Sequence, residues 1–152
     1  MRSTSRSGRV VGVATAVAAL GLPFAGTALA SDDAVAAEPA VTVAPATGLP
    51  ASGEVDVEVS GFTPGETVSV TQCGGDVETG DILCRVDDAP TVSLDEDGAA
   101  STPLTVTSTF EGLDLVTGET MTIDCGTFDG GCHVGVAQTE GLLFASAPIS
   151  FD

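Results

Sequence analysis

The chain has 152 residues, a formal net charge of −18, four cysteines and six phenylalanines, with no tryptophan and no tyrosine. Three of its four basic residues, Arg2, Arg6 and Arg9, stand at the extreme N-terminus, whereas all 22 acids lie at or after Asp32. A body with Arg85 as its one strong cation repels phosphate backbones, which argues against direct binding of DNA or RNA and favours a soluble monomer kept apart by self-repulsion.

Residues 1–30 read as a secretory signal peptide: a basic start, an apolar run from Val10 to Leu22, and the small-x-small step Ala28-Leu29-Ala30. Cleavage is expected after Ala30, with Ala36 or Ala37 as later alternatives. The apolar run is broken by Gly21 and Pro23, and it falls short of the roughly 20 residues a membrane span needs. No membrane association is therefore expected after cleavage. The destination is extracellular, with the cell wall as one place of residence. About 122 residues remain, the size of one domain.

Ser31–Pro39 is small, acidic and unpatterned, a flexible lead-in to a domain at 40–152. Val41-Thr42-Val43 starts a short strand, stopped by Pro45 and the Gly48-Leu49-Pro50 turn. Glu54-Val55-Asp56-Val57-Glu58-Val59-Ser60 alternates valine with acid, the pattern of a half-buried antiparallel strand. After the Pro64-Gly65 turn, Thr67–Cys73 and Ile82–Val86 form a hairpin around a glycine-rich tip, with Cys73 and Cys84 at its mouth. Thr91–Leu94 and Ala99–Ser108 flank Asp95-Glu96-Asp97-Gly98, whose Asp-Gly step predicts a hairpin turn. Pro103 suggests an edge or a bulge in the second of these. Phe110–Gly118 reads as loop. Met121–Cys125, Cys132–Val136 and Ala147–Phe151 complete the strands, and no helix is expected after residue 30.

Seven or so short strands with frequent turn signals predict an all-β fold, a seven-stranded immunoglobulin-like antiparallel sandwich or barrel with a small β-ribbon subdomain. Four cysteines in an exported chain of this size read as two disulfides. Three pairings exist in principle. Closeness in sequence favours local staples, Cys73–Cys84 and Cys125–Cys132, each contributing roughly 2–3 kcal/mol by constraining the unfolded chain.

Catalytic and metal chemistry find little support. No G-x-S-x-G elbow is present, and the single histidine, His133, cannot be matched with a particular serine. The acids Asp87, Asp88, Asp95 and Asp97 are dense enough for chance pairs, which is no sign of a two-carboxylate site. Zinc is disfavoured because no Cys-x2-Cys spacing occurs and export favours oxidation. Asp95–Gly98 lacks the rest of a calcium loop. Arg85 beside Asp87 and Asp88 reads as a surface ion pair of small value. No enzyme activity, metal or covalent cofactor is expected.

The order of several short segments is more specific than any one of them. Val41-Thr42-Val43-Ala44-Pro45-Ala46-Thr47-Gly48-Leu49 is followed by Val70-Thr71-Gln72-Cys73, then by Asp97-Gly98-Ala99-Ala100-Ser101-Thr102-Pro103-Leu104-Thr105-Val106. Phe110-Glu111-Gly112, Asp124-Cys125, Cys132-His133-Val134-Gly135 and Ile149-Ser150-Phe151-Asp152 complete the set. In this the chain resembles the neocarzinostatin family, the apoproteins of enediyne chromoproteins, over residues 40–152.

The resemblance implies a cleft that holds a labile, largely apolar chromophore without a covalent bond and shields it from water and thiols. The released cargo, not the protein, would damage DNA. Carried onto this sequence, the ligand-binding residues are Cys73, Gly74, Gly75, Ile82, Leu83 and Cys84, with Leu113 and Leu115 opposite. His133, Gly135 and Ala137 complete them. His133 can hydrogen-bond a ligand there, and titration near its ordinary pKa would make holding pH-sensitive. Where the type member brings aromatic side chains to its ligand, this chain has Gly75, Ala89 and Leu115. A small apolar or aromatic ligand, of enediyne type or another, is the expected partner. The alternative is a ligand-free acidic immunoglobulin-like module at the cell surface.

Overall fold

In a computed structural model the described residues are 37–114, 116–141 and 143–152. The expected signal peptide at 1–30, most of the lead-in, and Leu115 lie outside them. The strands are β1 (Ala40–Ala44), β2 (Ser52–Ser60), β3 (Thr67–Asp76), β4 (Asp81–Cys84) and β5 (Thr91–Ser93), followed by β6 (Ala100–Thr107), β7 (Thr109–Asp114), β8 (Thr120–Asp124), β9 (Cys132–Gln138) and β10 (Phe144–Ile149). No helix occurs among the described residues.

The strands form two antiparallel sheets, one of three strands in the order β1-β2-β6 and one of seven in the order β10-β9-β3-β4-β7-β8, where β5 also pairs with β3. The valine–acid alternation of β2 explains the smaller sheet. Val55, Val57 and Val59 are buried while Glu54, Asp56 and Glu58 point outward or to its margin. They meet Val68 and Val70 of β3, Val134 and Val136 of β9, and Ile123 of β8 in one apolar cluster. Val and Ile suit such strands because branching at Cβ packs well on a pleated surface.

Gln72 is the most deeply buried polar side chain of this interior. At 1% exposed, it donates from Nε2 to the Thr107 carbonyl at 2.6 Å and accepts from the Thr107 N–H at 2.9 Å. The amide thus acts as a one-residue strand and ties the centre of the larger sheet to the end of β6. Both backbone groups of Thr107 are satisfied in an otherwise apolar layer, where leaving them bare would be costly.

The architecture departs from the sequence expectation in four places. Ten strands form rather than seven, and the small ribbon is hydrogen-bonded into the larger sheet through Leu83↔Asp114 and Cys84↔Leu113. Phe110–Gly118, read as loop, contains most of β7: Phe110 and Gly112 face inward against β8, but a small glycine hides the period of two. The Asp95–Gly98 turn closes no hairpin, because β5 pairs with β3 and β6 with β2. It carries the chain from one sheet to the other, with the Asp95 carboxylate accepting from the Asp97 and Ala99 N–H groups. The last strand begins at Phe144, earlier than Ala147, and Phe151 makes only an isolated bridge to Leu49. Pro103 falls in β6, at the edge of the three-stranded sheet, where a missing N–H is tolerated.

Candidate functional site

Both disulfides are local: Cys73–Cys84 and Cys125–Cys132, leaving no free cysteine. The first lies where β3 stops pairing with the β4–β5 connection and begins pairing with β4. Between its pairings with β5 and β4, β3 bonds to this connection: Val70 N–H donates to the Pro90 carbonyl at 2.9 Å, and Arg85 N–H donates to the Gln72 carbonyl at 2.9 Å. The Thr71 hydroxyl donates to the Arg85 carbonyl. Residues 85–90 are thereby held as an arch beside β3.

That arch forms one wall of a cleft of about 500 Å³ on the outer face of the larger sheet. Its floor is the outward row of two neighbouring strands, Ser69, Thr71 and Cys73 from β3 with Gly135 and Ala137 from β9. Period two makes this row the reverse of the core row Val68, Val70, Val134 and Val136. The floor is deep because its side chains are small. Val86 and Ala89 of the arch, and Ile82 with Cys84 of β4, flank it. Val116 and Phe144 stand at its rim, 91% and 39% exposed.

The rim at Val116 is set by a carboxylate. Asp114 accepts from the Thr117 N–H at 3.1 Å and the Val116 N–H at 2.7 Å, and these bonds hold its carboxyl below its ordinary pKa. Arg85 contributes to the cleft wall, while its guanidinium Nη2 pairs with Asp88 Oδ2 at 3.0 Å.

The residues expected to contact a ligand separate into groups. Cys73, Ile82, Cys84, Gly135 and Ala137 surround the cleft. Gly74 turns to the interior, where a Cβ would stand 2.6 Å from Ile123 Cγ2, and Leu83 packs toward Gly112 and the core. Both are one step out of phase with the cleft row. Leu113 pairs with Cys84 but lies outside the lining. Nothing is described for Leu115.

Gly75 and His133 line a separate, smaller depression of about 230 Å³ with Asp76 and Ser146. His133 shares the strand face of Gly135 and stands opposite Cys73, but it lines this depression and not the cleft. It is 4% exposed, its Nε2 is buried without a hydrogen-bond partner, and burial lowers its pKa. Gly75 has φ of 117°, and a Cβ there would stand 2.0 Å from the Asp81 carbonyl oxygen. No aromatic side chain fits at that position while this backbone is kept.

Ser69, Thr71, Gly80, Arg85, Val86, Val116 and Phe144 also line the cleft and stand outside the expected set. The signal for Phe144 was register: it pairs with Ala137 in β9 and so shares its face. Among the described residues no group of three or more His, Cys, Asp or Glu is placed to hold a metal ion.

Fold and cleft together define a small disulfide-stapled immunoglobulin-like β domain with a cleft on its outer sheet face. The chain belongs to the neocarzinostatin family, whose model matches residues 41–151. It is 32% identical over 151 residues to the antitumor antibiotic C-1027 apoprotein of Streptomyces globisporus, covering 99% of this chain and 98% of that protein. Macromomycin of Streptomyces macromomyceticus is 35% identical over 147 residues, covering 96% and 93%. The solved structure of macromomycin superposes with a TM-score of 0.65 at 34% identity, over 75% of this chain and 99% of that one. Apokedarcidin superposes at 0.59 with 33% identity, over 76% and 100%.

Proposed function

We propose that the protein is an exported carrier that holds a small, largely apolar molecule in the cleft beside Cys73–Cys84 and shields it from water. The observation that carries this reading is the cleft of about 500 Å³, walled chiefly by aliphatic side chains and floored by small ones. Ligand sites of this kind fall at about 300–1,000 Å³ and are mostly apolar with a few polar groups. The Ser69 and Thr71 hydroxyls and the arch backbone supply polar edges.

Membership of a family that includes an antitumor antibiotic apoprotein supports a chromophore of the enediyne type as cargo. The role is to hold rather than to transform, and the acidic body leaves any action on DNA to released cargo. Export by removal of residues 1–30 completes the reading. Native mass spectrometry of the protein purified from its own culture tests it: a bound small-molecule mass, lost on organic extraction, is expected. An apo mass across all growth phases would overturn it.

A further inference from the structure

We propose that the mature chain begins at Ala37: Ser31–Ala36 is removed as well as residues 1–30, and the final cut follows the small-x-small step Ala34-Val35-Ala36. The boundary is set by where the fold takes hold of the chain. Ala37, Glu38 and Pro39 line a groove of about 680 Å³ together with Gly61, Phe62, Thr63 and Pro64 of the β2–β3 turn. The Glu38 carbonyl lies so close to Gly61 that no Cβ fits there, and a Cβ would also stand 3.1 Å from the Ala37 carbonyl oxygen. Gly61 has φ of 75°, a second reason for glycine at this turn. One residue after Pro39 the pairing of β1 with β2 begins, at Ala40↔Ser60. From Ala37 onward the backbone therefore runs against the domain. A protease needs several residues of freely extended chain, and the small, polar residues of a terminus supply them where a docked backbone does not.

The length of a relative agrees with this boundary. Apokedarcidin is matched over 116 residues, which cover 99% of that protein. Counted back from Asp152, a stretch of 116 residues starts at Ala37. The charges agree as well. Hydrolysis adds water across the Ala36–Ala37 peptide bond, so that a carboxylate leaves with Ala36 and an α-ammonium group stays on Ala37. The cut takes away Asp32 and Asp33, and it places this new cation, largely protonated at pH 7, on a groove that Glu38, Glu96 and Asp97 also line. A positive end is favoured there, whereas two further carboxylates just ahead of it would be repelled.

The intact mass of the protein secreted into its own culture tests the inference. A polypeptide of residues 37–152 with both disulfides closed is expected. A polypeptide that starts at Ser31, or at any other residue, overturns it. Ala36→Leu puts a large side chain immediately before the cut, and Ala36 lies outside the retained chain, so the folded domain is unaltered. The variant should lose the Ala37 start in favour of another. An unchanged Ala37 start would show that Ala34-Val35-Ala36 does not direct the cut, and would overturn the inference too. A bound small molecule adds to whichever polypeptide mass is found, so this boundary and the carrier reading can each fail without the other.

Discussion

Strands β3 and β9 face two ways, and their two faces are built by opposite rules. Toward the other sheet they present Val68, Val70, Val134 and Val136, all fully buried, with Gln72 among them. Toward solvent they present Ser69, Thr71, Gly135 and Ala137. The inner face is made by filling volume and the outer by leaving it out, yet both are written into the same residues at alternate positions. A substitution on one face should therefore change stability, and its neighbour on the other face should change what the cleft accepts.

The largest loss is expected at the polar centre of the inner face. Gln72→Leu keeps the volume but leaves the N–H and carbonyl of Thr107 without partners in a dry layer. Two such orphans should cost about 3 kcal/mol, read from urea unfolding as a lower midpoint at unchanged slope. A loss below about 1 kcal/mol would mean that water reaches Thr107 and that the glutamine is no clamp.

The two disulfides sharpen the contrast, since they close loops of similar length with 11 and 7 residues of separation. Removing either by paired Cys→Ser substitution should cost roughly 2–3 kcal/mol. Only loss of Cys73–Cys84 should also change ligand uptake, because Cys125 and Cys132 lie outside the cleft. Equal effects on uptake would show that the first bridge acts through overall stability alone. Val136→Ala, a plain cavity on the inner face, follows at about 2 kcal/mol.

How far the sequence reveals these faces depends on how strictly it keeps period two. The valines of β2 announce their strand because acids separate them, and the cysteine loops announce themselves by spacing and by family resemblance. The cleft is harder to see. Cys73, Ile82, Cys84, Gly135 and Ala137 were nameable because a family pattern placed them. Gly74 and Leu83 enter the expected set by the same resemblance, yet each adjoins a cysteine, and adjacency on a strand puts a residue on the opposite face. Phe144 was missed for the converse reason. It lies far from the cysteines along the chain and reaches the cleft through its pairing with Ala137, a fact of sheet order that no local pattern carries. His133 shows a third limit: strand parity gives its face, but not that it opens onto the smaller depression instead of the cleft.

That position gives His133 a different pH signature from a ligand contact. Burial lowers its pKa below the ordinary value of 6.5, so the unfolded chain takes up a proton more readily than the folded one. Stability should rise with pH through the window between the lowered pKa and about 6.5, and fall on acidification from pH 7 toward 5. Asp76 lines the same depression, but its carboxylate accepts from the Glu78 N–H. Unfolding free energies at pH 7 and pH 5 for the protein and for His133→Gln decide the matter. The substitution should flatten the slope, and an equal slope in both would remove histidine as its source.

The smallest effect on stability should accompany one of the largest effects on the site. Ala137→Val adds two methyl groups to a partly exposed position on the outer face, one residue from Val136 and beside Phe144 in register. Valine suits a strand, and no core contact is disturbed, so the unfolding midpoint should move by no more than about 0.5 kcal/mol in equivalent terms. The same methyl groups stand on the cleft floor in front of the Phe144 ring, where the space exists only because alanine and glycine leave it. Ligand uptake by the cleft should therefore fall, read by equilibrium dialysis of the protein and the variant side by side. If Ala137→Val instead destabilised the fold as much as Val136→Ala, the outer row would be part of the core, and the division of labour between the two faces would be false.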